Sequence, residues 1–486
     1  MTTLARSFPQ KYALTFNLPP LAWLLLLALA LRFAGLGSSA IWYDESYQAA
    51  VSALPFVEMI RVAAMDSWPP LWFIITKIFA SLLGSELWAL RLPSALFSLG
   101  ALALTWRVGK ELGLSEPILV GGVGALAVLP YQLWMAQDAR GYAFLSALYL
   151  AAILFGLQRR WLGLAACVGL SLYTHFVMLL YLPALVIALL IALEDARSRF
   201  ASLVAIGAGA MAFVPYLPTF IVQTDYQPWL THHDFLYQLQ ALSITLFANV
   251  FDVAMAFSVL ILLLVAIGVS LLMTVAIRRR PLIALATLAL LPFITMQIVG
   301  ELYKPILYYR VLSMIVAPGV LWLAAAWSNV PFRMVRHVAG VCVVVVVGMS
   351  LVQWSPTNKG SSLKMYSDII RESWQPGDVV YHATATSLLP FRFYLSDKTH
   401  YLINDDDVAD GLLKKSERAP LGIVTADLDR VPWRRAWIVW SRDVMLSPAV
   451  NEQFRNLTKD DARFVGRIAY WQTAPIEIWL IEGEHG

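Results

Sequence analysis

Charge is what this chain of 486 residues has least of, with Asp, Glu, Lys and Arg together at 14%, against about 25% in an ordinary soluble domain. The charges that are present sit in short clusters between apolar stretches as far as Trp354, and this excludes a water-soluble fold for that part of the chain. The formal net charge of +4 is small and scattered. It gives no basis for a nucleic-acid partner, and the basic residues are better explained by membrane topology. Only two cysteines occur, Cys167 and Cys342, both inside apolar runs. They form no disulfide framework and no zinc-ligand spacing, and they read as small buried side chains. There is no Gly-rich phosphate loop and no G-x-S-x-G elbow, which leaves nucleotide-driven chemistry without a seat. Internal repeats and low-complexity segments are also missing. His232-His233-Asp234 comes nearest to a metal cluster, but adjacent histidines do not easily share one ion, so neither metal nor cofactor is expected.

What the sequence has instead is apolar length. Hydrophobic residues make up 59% of it and the mean hydropathy is +0.66. A helix needs about 20 apolar residues to cross a bilayer core, and stretches such as 20–36, 200–222 and 257–277 meet or approach that. The first is long for a signal sequence and no small-residue cleavage site follows it, so it reads as the first span. Basic clusters then flank the apolar runs in alternation: Arg6 and Lys11, Arg107 and Lys110, Arg159 and Arg160, Arg197 and Arg199, Arg278 to Arg280, Arg333 and Arg336. Placing these in the cytoplasm satisfies the positive-inside rule. About eleven spans result, at 20–36, 92–108, 117–136, 142–158, 161–174, 176–193, 200–222, 255–277, 281–299, 310–328 and 338–354. The connections 38–91, 137–141, the link near His175, 223–252, 300–309 and everything after Trp354 then face outward. Trp68–Leu83, opened by Pro69-Pro70 and carrying Lys77, must lie on the outer interface instead of spanning.

Composition becomes ordinary after Trp354. A helical pattern over Lys364–Trp374 leads through Gln375-Pro376-Gly377-Asp378 into strand-like runs at Val379–His382, His400–Ile403, Ala436–Trp440, Arg463–Ala469 and Ile476–Ile481. The expected fold class is mainly α. It is a polytopic helical bundle over residues 1–354 with interfacial helices in its first outer loop, followed by a small extracytoplasmic α/β domain over 355–486.

The candidates for chemistry gather on the outward connections. In Ile41-Trp42-Tyr43-Asp44-Glu45-Ser46-Tyr47 two adjacent carboxylates follow the first span. Two readings stay open: a helix cap with an acidic first turn, or a partly desolvated base able to activate a hydroxyl acceptor. Gln137-Asp138-Ala139-Arg140-Gly141-Tyr142 offers either an internal ion pair or a second acid on the same membrane face. Glu301-Leu302-Tyr303-Lys304-Pro305 and Tyr308-Tyr309-Arg310 place cations against the positive-inside trend. A phosphate at headgroup depth would compensate them, and so would snorkelling to ordinary lipid. His175 sits at a turn between two short spans, where a hydrogen-bonded structural role competes with ligand binding.

These pieces in this order resemble the polyprenyl-phosphate-sugar-dependent glycosyltransferases of the C-type fold, in the branch of protein O-mannosyltransferases and lipid A aminoarabinose transferases. The matching segments are Trp42-Tyr43-Asp44-Glu45, Trp68-Pro69-Pro70-Leu71-Trp72-Phe73, Leu90-Arg91-Leu92-Pro93-Ser94-Ala95-Leu96-Phe97, Gln137 to Ala143, and Tyr173-Thr174-His175-Phe176. The resemblance covers residues 20–200 well and 300–325 loosely. It implies a lipid-linked monophosphate sugar donor, an acceptor hydroxyl on a lipid, glycan or protein, inversion at the sugar carbon, and no cofactor. It makes Asp44 the general base, puts Asp138 in the same cavity, and leaves basic groups to hold the lipid phosphate.

With the local reading, the catalytic candidates are Asp44, Glu45 and Asp138. The candidates for substrate or lipid phosphate are Arg91, Arg140, His175, Lys304, Tyr309 and Arg310. The expected location is a bacterial cytoplasmic membrane, with site and tail on its outer face. Two departures stand out: Trp68 replaces the His or Lys that many relatives carry before the two prolines, and Asp138 replaces a common Glu. The rival expectation is a transporter or flippase of lipid-linked sugars, which would carry charges near the bilayer midplane and often repeats.

Overall fold

The computed structural model describes residues 18–66, 68–225, 235–247, 253–353, 361–403, 413–426, 433–441, 448, 452, 455, 462–468 and 476–485. The boundary expected at 354/355, the basic pair Arg6 and Lys11, and His232-His233-Asp234 lie outside these residues.

The chain enters through α1 (Pro20–Phe33), whose first-turn proline has no N–H to leave unpaired. Three short helices follow: α2 (Tyr43–Ala53), α3 (Phe56–Met65) and α4 (Leu71–Leu83). The bundle continues with α5 (Leu87–Glu111), α6 (Glu116–Val128), α7 (Pro130–Ala136), α8 (Tyr142–Leu157), α9 (Trp161–Thr174), α10 (Met178–Ala192) and α11 (Ala196–Met211). A single turn at Val214–Tyr216 leads to α12 (Leu217–Asp225). Then come α13 (Phe235–Phe247), α14 (Val253–Ile277) and α15 (Arg280–Leu302), a tight helical stretch at Tyr309–Ile315, α16 (Val316–Trp327) and α17 (Arg333–Gln353).

Each of the eleven expected spans coincides with a helix or a broken helix, but they are unequal. Among the described residues six helices are long and apolar enough to cross a membrane, and the bent pair α6–α7 makes a seventh. The other four, α1, α8, α9 and α10, have 14, 16, 14 and 15 residues. At 1.5 Å per residue they are about 21–24 Å long, short of a ~30 Å hydrocarbon core.

The break between α6 and α7 bends the chain by 61° at Pro130. A helix end in apolar surroundings strands its last carbonyls. Arg32 of α1, fully buried, meets them: Nη1 donates to Ala127 O at 3.0 Å and Nη2 to Leu126 O at 3.4 Å. In return Gln137, just past α7, donates from Nε2 to Ala34 O at 2.8 Å at the end of α1. This reciprocal capping aims residues 138–141 at the start of α2. The basic clusters gather at the other end of α5 and α8. There Arg159 pairs with Asp195 at 3.0 Å, Arg280 with Glu194 at 3.4 Å, and Gln158 donates to Glu111 at 2.6 Å.

Where α9 and α11 cross, glycine lets the backbones touch. A Cβ on Gly209 would lie 2.4 Å from Ala165 O and 2.8 Å from Val168 Cβ. Gly209→Val is therefore expected to destabilise the bundle by about 1–3 kcal/mol. Gly207→Ala, where nothing lies within 4 Å, should leave the unfolding temperature in detergent unchanged or raised. Equal melting of the two variants would refute this packing.

The tail comprises α18 (Ser361–Glu372), β1 (Val379–His382), α19 (Ala385–Tyr394), β2 (His400–Ile403), α20 (Lys415–Arg418), β3 (Val424–Ala426), β4 (Trp433–Ser441), β5 (Ala462–Ile468) and β6 (Ile476–His485). The strands form one six-stranded sheet in the order β3-β2-β1-β4-β6-β5. It is parallel from β3 to β4 and antiparallel across β4, β6 and β5. Strand β4 alternates as a two-sided strand should: Trp437 and Val439 pack with Leu363 and Phe391, while Ala436, Ile438 and Trp440 pack with Tyr381 on the opposite face. All five expected strand runs are present. The three-residue β3, largely exposed, was not foreseen.

Candidate active site

The site assembles around the first turn of α2. The N-cap of α2 is Trp42, and no side chain caps the helix, so Asp44 is not a capping residue. Successive helical residues point about 100° apart, and the two carboxylates part company accordingly.

Glu45 turns inward. Its oxygens take Arg91 Nε at 2.7 Å and Nη2 at 2.6 Å, and both side chains are fully buried. Glu45 Oε1 also accepts the Ala139 N–H at 2.8 Å. Arg91 spends its remaining donors on Leu36 O, Ser39 O, Ser39 Oγ and Ala40 O, at 2.7–3.2 Å. This corrects two expectations. Glu45 has no oxygen facing a substrate and Arg91 has no donor to offer a phosphate. Together they clamp the loop after α1, α2, α5 and the 137–141 loop to one another.

Asp44 turns outward. Its Oδ2 accepts Arg310 Nη1 at 2.7 Å, with the Arg310 and Asp44 side chains 18% and 21% exposed. Arg310 is held from two further sides. Its Nε donates to Tyr309 Oη at 3.1 Å, and its guanidinium lies 4.4 Å from the centre of the Trp42 ring. Trp42 in turn donates Nε1–H to Asp138 Oδ1 at 2.9 Å. Asp138 is thus buried in a chain that runs Asp138, Trp42, Arg310, Asp44.

Arg140 approaches from the other side. Its Nη1 lies 3.4 Å from Asp44 O, its guanidinium stacks 4.1 Å from the Trp68 ring centre, and its buried Nε has no hydrogen-bond partner. Trp68, the departure from the expected His or Lys, thus serves as the platform for a cation. His175 packs edge-on against Trp68 at 4.3 Å, and its Nδ1 accepts the Val177 N–H at 3.1 Å. It forms the wall behind Arg140 and turns the chain between α9 and α10. Tyr309 is buried and joined to the cluster through Arg310, and Tyr308 Oη lies 3.2 Å from Tyr142 Oη. Lys304 lies past the end of α15 with Nζ 5.7 Å from the Tyr303 ring centre, while Arg310 makes the contact with Asp44.

The structure therefore brings Asp44, Asp138, Arg140, Tyr309 and Arg310 together, with His175 behind them. Sequence reasoning missed the tail. Tyr394 Oη accepts the Ile41 N–H at 2.8 Å, and Glu417 accepts the Tyr47 hydroxyl at 3.2 Å. Nothing in that ordinary stretch of sequence marks either residue.

Comparison with known proteins bears on the fold that carries this cluster. Residues 67–221 match the family model described as dolichyl-phosphate-mannose-protein mannosyltransferase, a range that includes Trp68, Asp138, Arg140 and His175. No curated protein sequence matches significantly. Among solved structures, ArnT from Cupriavidus metallidurans bound to undecaprenyl phosphate aligns at TM-score 0.58 and 13% identity, over 94% of this chain and 97% of that one. Its apo state aligns at TM-score 0.56 and 13% identity, over 94% and 98%. At that identity the likeness is one of fold, and it runs over nearly the whole of both chains. The chain is a multi-pass membrane protein with the C-type glycosyltransferase fold, and its residues 67–221 carry the pattern of the mannosyltransferase family.

Proposed function

We propose that this protein is a glycosyltransferase that moves a sugar from a polyprenyl-phosphate donor to a hydroxyl acceptor, with inversion, at the outer face of a bacterial cytoplasmic membrane. The observation that carries the reading is the contact of Asp44 with Arg310 at 2.7 Å, with Arg140 beside it. A general base and cations suited to phosphate meet at one end of the bundle, opposite the basic clusters. A flippase would need its charges near the midplane. Arg32, the buried arginine of α1, is committed to helix carbonyls.

The chemistry follows from these groups. As donor phosphate arrives, Arg310 exchanges Asp44 for a phosphate oxygen, and the unpaired Nε of Arg140 supplies a second donor. Asp44, released, takes the proton of the acceptor hydroxyl. The acceptor oxygen attacks the sugar's anomeric carbon on the face opposite the phosphate. The carbon–oxygen bond to phosphate breaks, polyprenyl phosphate leaves with the electron pair, and the configuration inverts. Resemblance in motif order and likeness to a fold solved with undecaprenyl phosphate support this assignment.

The assay is direct. Purified protein, a labelled polyprenyl-phosphate sugar and cell envelopes should transfer label from lipid to an envelope acceptor. Label that stays on the lipid, or crosses the bilayer still attached to it, would refute the transferase. In the same system Arg310→Ala should weaken polyprenyl-phosphate binding by one to two decades, the equivalent of about 1.5–3 kcal/mol for a lost charge-assisted hydrogen bond. Parental binding by that variant would move the phosphate to Arg140.

A further inference from the structure

The tail grips α2 on both sides of Asp44. Before it, Tyr394 at the end of α19 accepts the Ile41 N–H at 2.8 Å, and Ala40 is buried in the same apolar cluster as Phe391 and Leu395. After it, Glu417 of α20, 2% exposed, accepts the Tyr47 hydroxyl at 3.2 Å. The other Glu417 oxygen accepts the Lys414 N–H at 2.9 Å. Lys414 Nζ reaches Met65 O at the end of α3, at 2.5 Å. Neither Glu417 nor Tyr394 touches the Asp44 cluster itself.

We propose that Glu417 and Tyr394 are positioning residues that hold the Asp44-bearing helix in place, and that ionisation of Glu417 loosens this hold. The effect on rate rests on the transferase reading above; the hold itself does not. The groups that face Glu417 are Tyr43 and Tyr47 from α2, Asp66 at the end of α3, and Lys414 from its own turn. Burial, and then the charge of Asp66, push its carboxyl up from 4.5 to about 7. A raised carboxyl favours the docked state with its proton on. The docked state carries no penalty below about pH 4.5, begins to pay it above that, and bears it in full once pH has risen through 7. An ionised carboxylate would then be buried beside Asp66. The grip is therefore firmest below about pH 4.5, slackens as pH rises towards 7, and is weakest above it.

Two measurements on the full-length protein test this. In transfer assays from pH 6 to 8 the parent should lose turnover several-fold on the alkaline side, while Glu417→Gln, which keeps the hydrogen bond to Tyr47 but cannot ionise, should stay flat. Tyr394→Phe should lower kcat at every pH with donor affinity unchanged. Hydrogen exchange of residues 40–47, corrected for intrinsic rate, reads the grip without any turnover. Protection should fall with pH in the parent and not in Glu417→Gln. The same pH dependence in both proteins would overturn the proposal. Loss of transfer in all proteins with the exchange difference intact would refute the transferase reading alone.

Discussion

Asp44→Asn is expected to cut sugar transfer by about 10²–10⁴-fold, the usual worth of a positioned general base, while the protein stays folded. The substitution keeps the side chain's shape and its capacity to accept from Arg310. It removes the charge and the affinity for a proton. Because Asp44 does not cap α2, no helix cap is lost. The ion pair given up is partly exposed, and such pairs contribute about 0–1 kcal/mol. Polyprenyl-phosphate binding should hold or tighten, since Arg310 no longer has a carboxylate competing for it. Turnover and lipid binding must be measured side by side. Near-parental turnover would mean that Asp44 only holds Arg310, and the mechanism would fall with it.

Arg91→Ala should do the opposite, losing the protein rather than the chemistry. Removing one partner of a fully buried ion pair costs about 3–5 kcal/mol, because the remaining charge is stranded. That is a large share of a total stability of about 5–15 kcal/mol. Glu45 would keep only the Ala139 N–H, and the loop carbonyls of Leu36, Ser39 and Ala40 would lose their donor. The expected result is little monodisperse protein after detergent extraction and a much lower unfolding temperature in what remains. Replacing both partners with leucine should harm folding less than Arg91→Leu alone. A well-folded Arg91→Ala protein that had lost only lipid binding would restore Arg91 to the phosphate site.

These two residues also show what the sequence could convey. The helices were legible because apolar length is a property of composition, and every expected span found its helix. The shortness of α8 and α9 was legible as well, since the expected spans 142–158 and 161–174 nearly coincide with the helices themselves. Arg310 was legible as an anomaly: a cation at the sparsely basic end of the bundle needs a compensating charge, and Asp44 provides it. By composition alone Asp44 and Glu45 could not be told apart, because adjacent positions in a motif share every compositional signal; only the resemblance singled out Asp44. Which one faces the core depends on where α5 lies. Arg91 looked like a free cation for the same reason, since its partner stands 46 positions away. Glu417 and Tyr394 were beyond reach. They act on α2 across 370 and 353 positions, through a docking that no local pattern encodes.

That separation has a consequence for biogenesis. The Ile41–Tyr394 contact joins residues 353 positions apart, and ribosomes add about 5–20 residues per second, so about 20–70 s pass between the synthesis of its two ends. During that interval the early helices can already be packed and the Glu45–Arg91 clamp closed, while the last fastening of α2 has not yet been made. The nascent chain thus completes its membrane-embedded portion before α2 is secured, and the tail, translated later, fastens it.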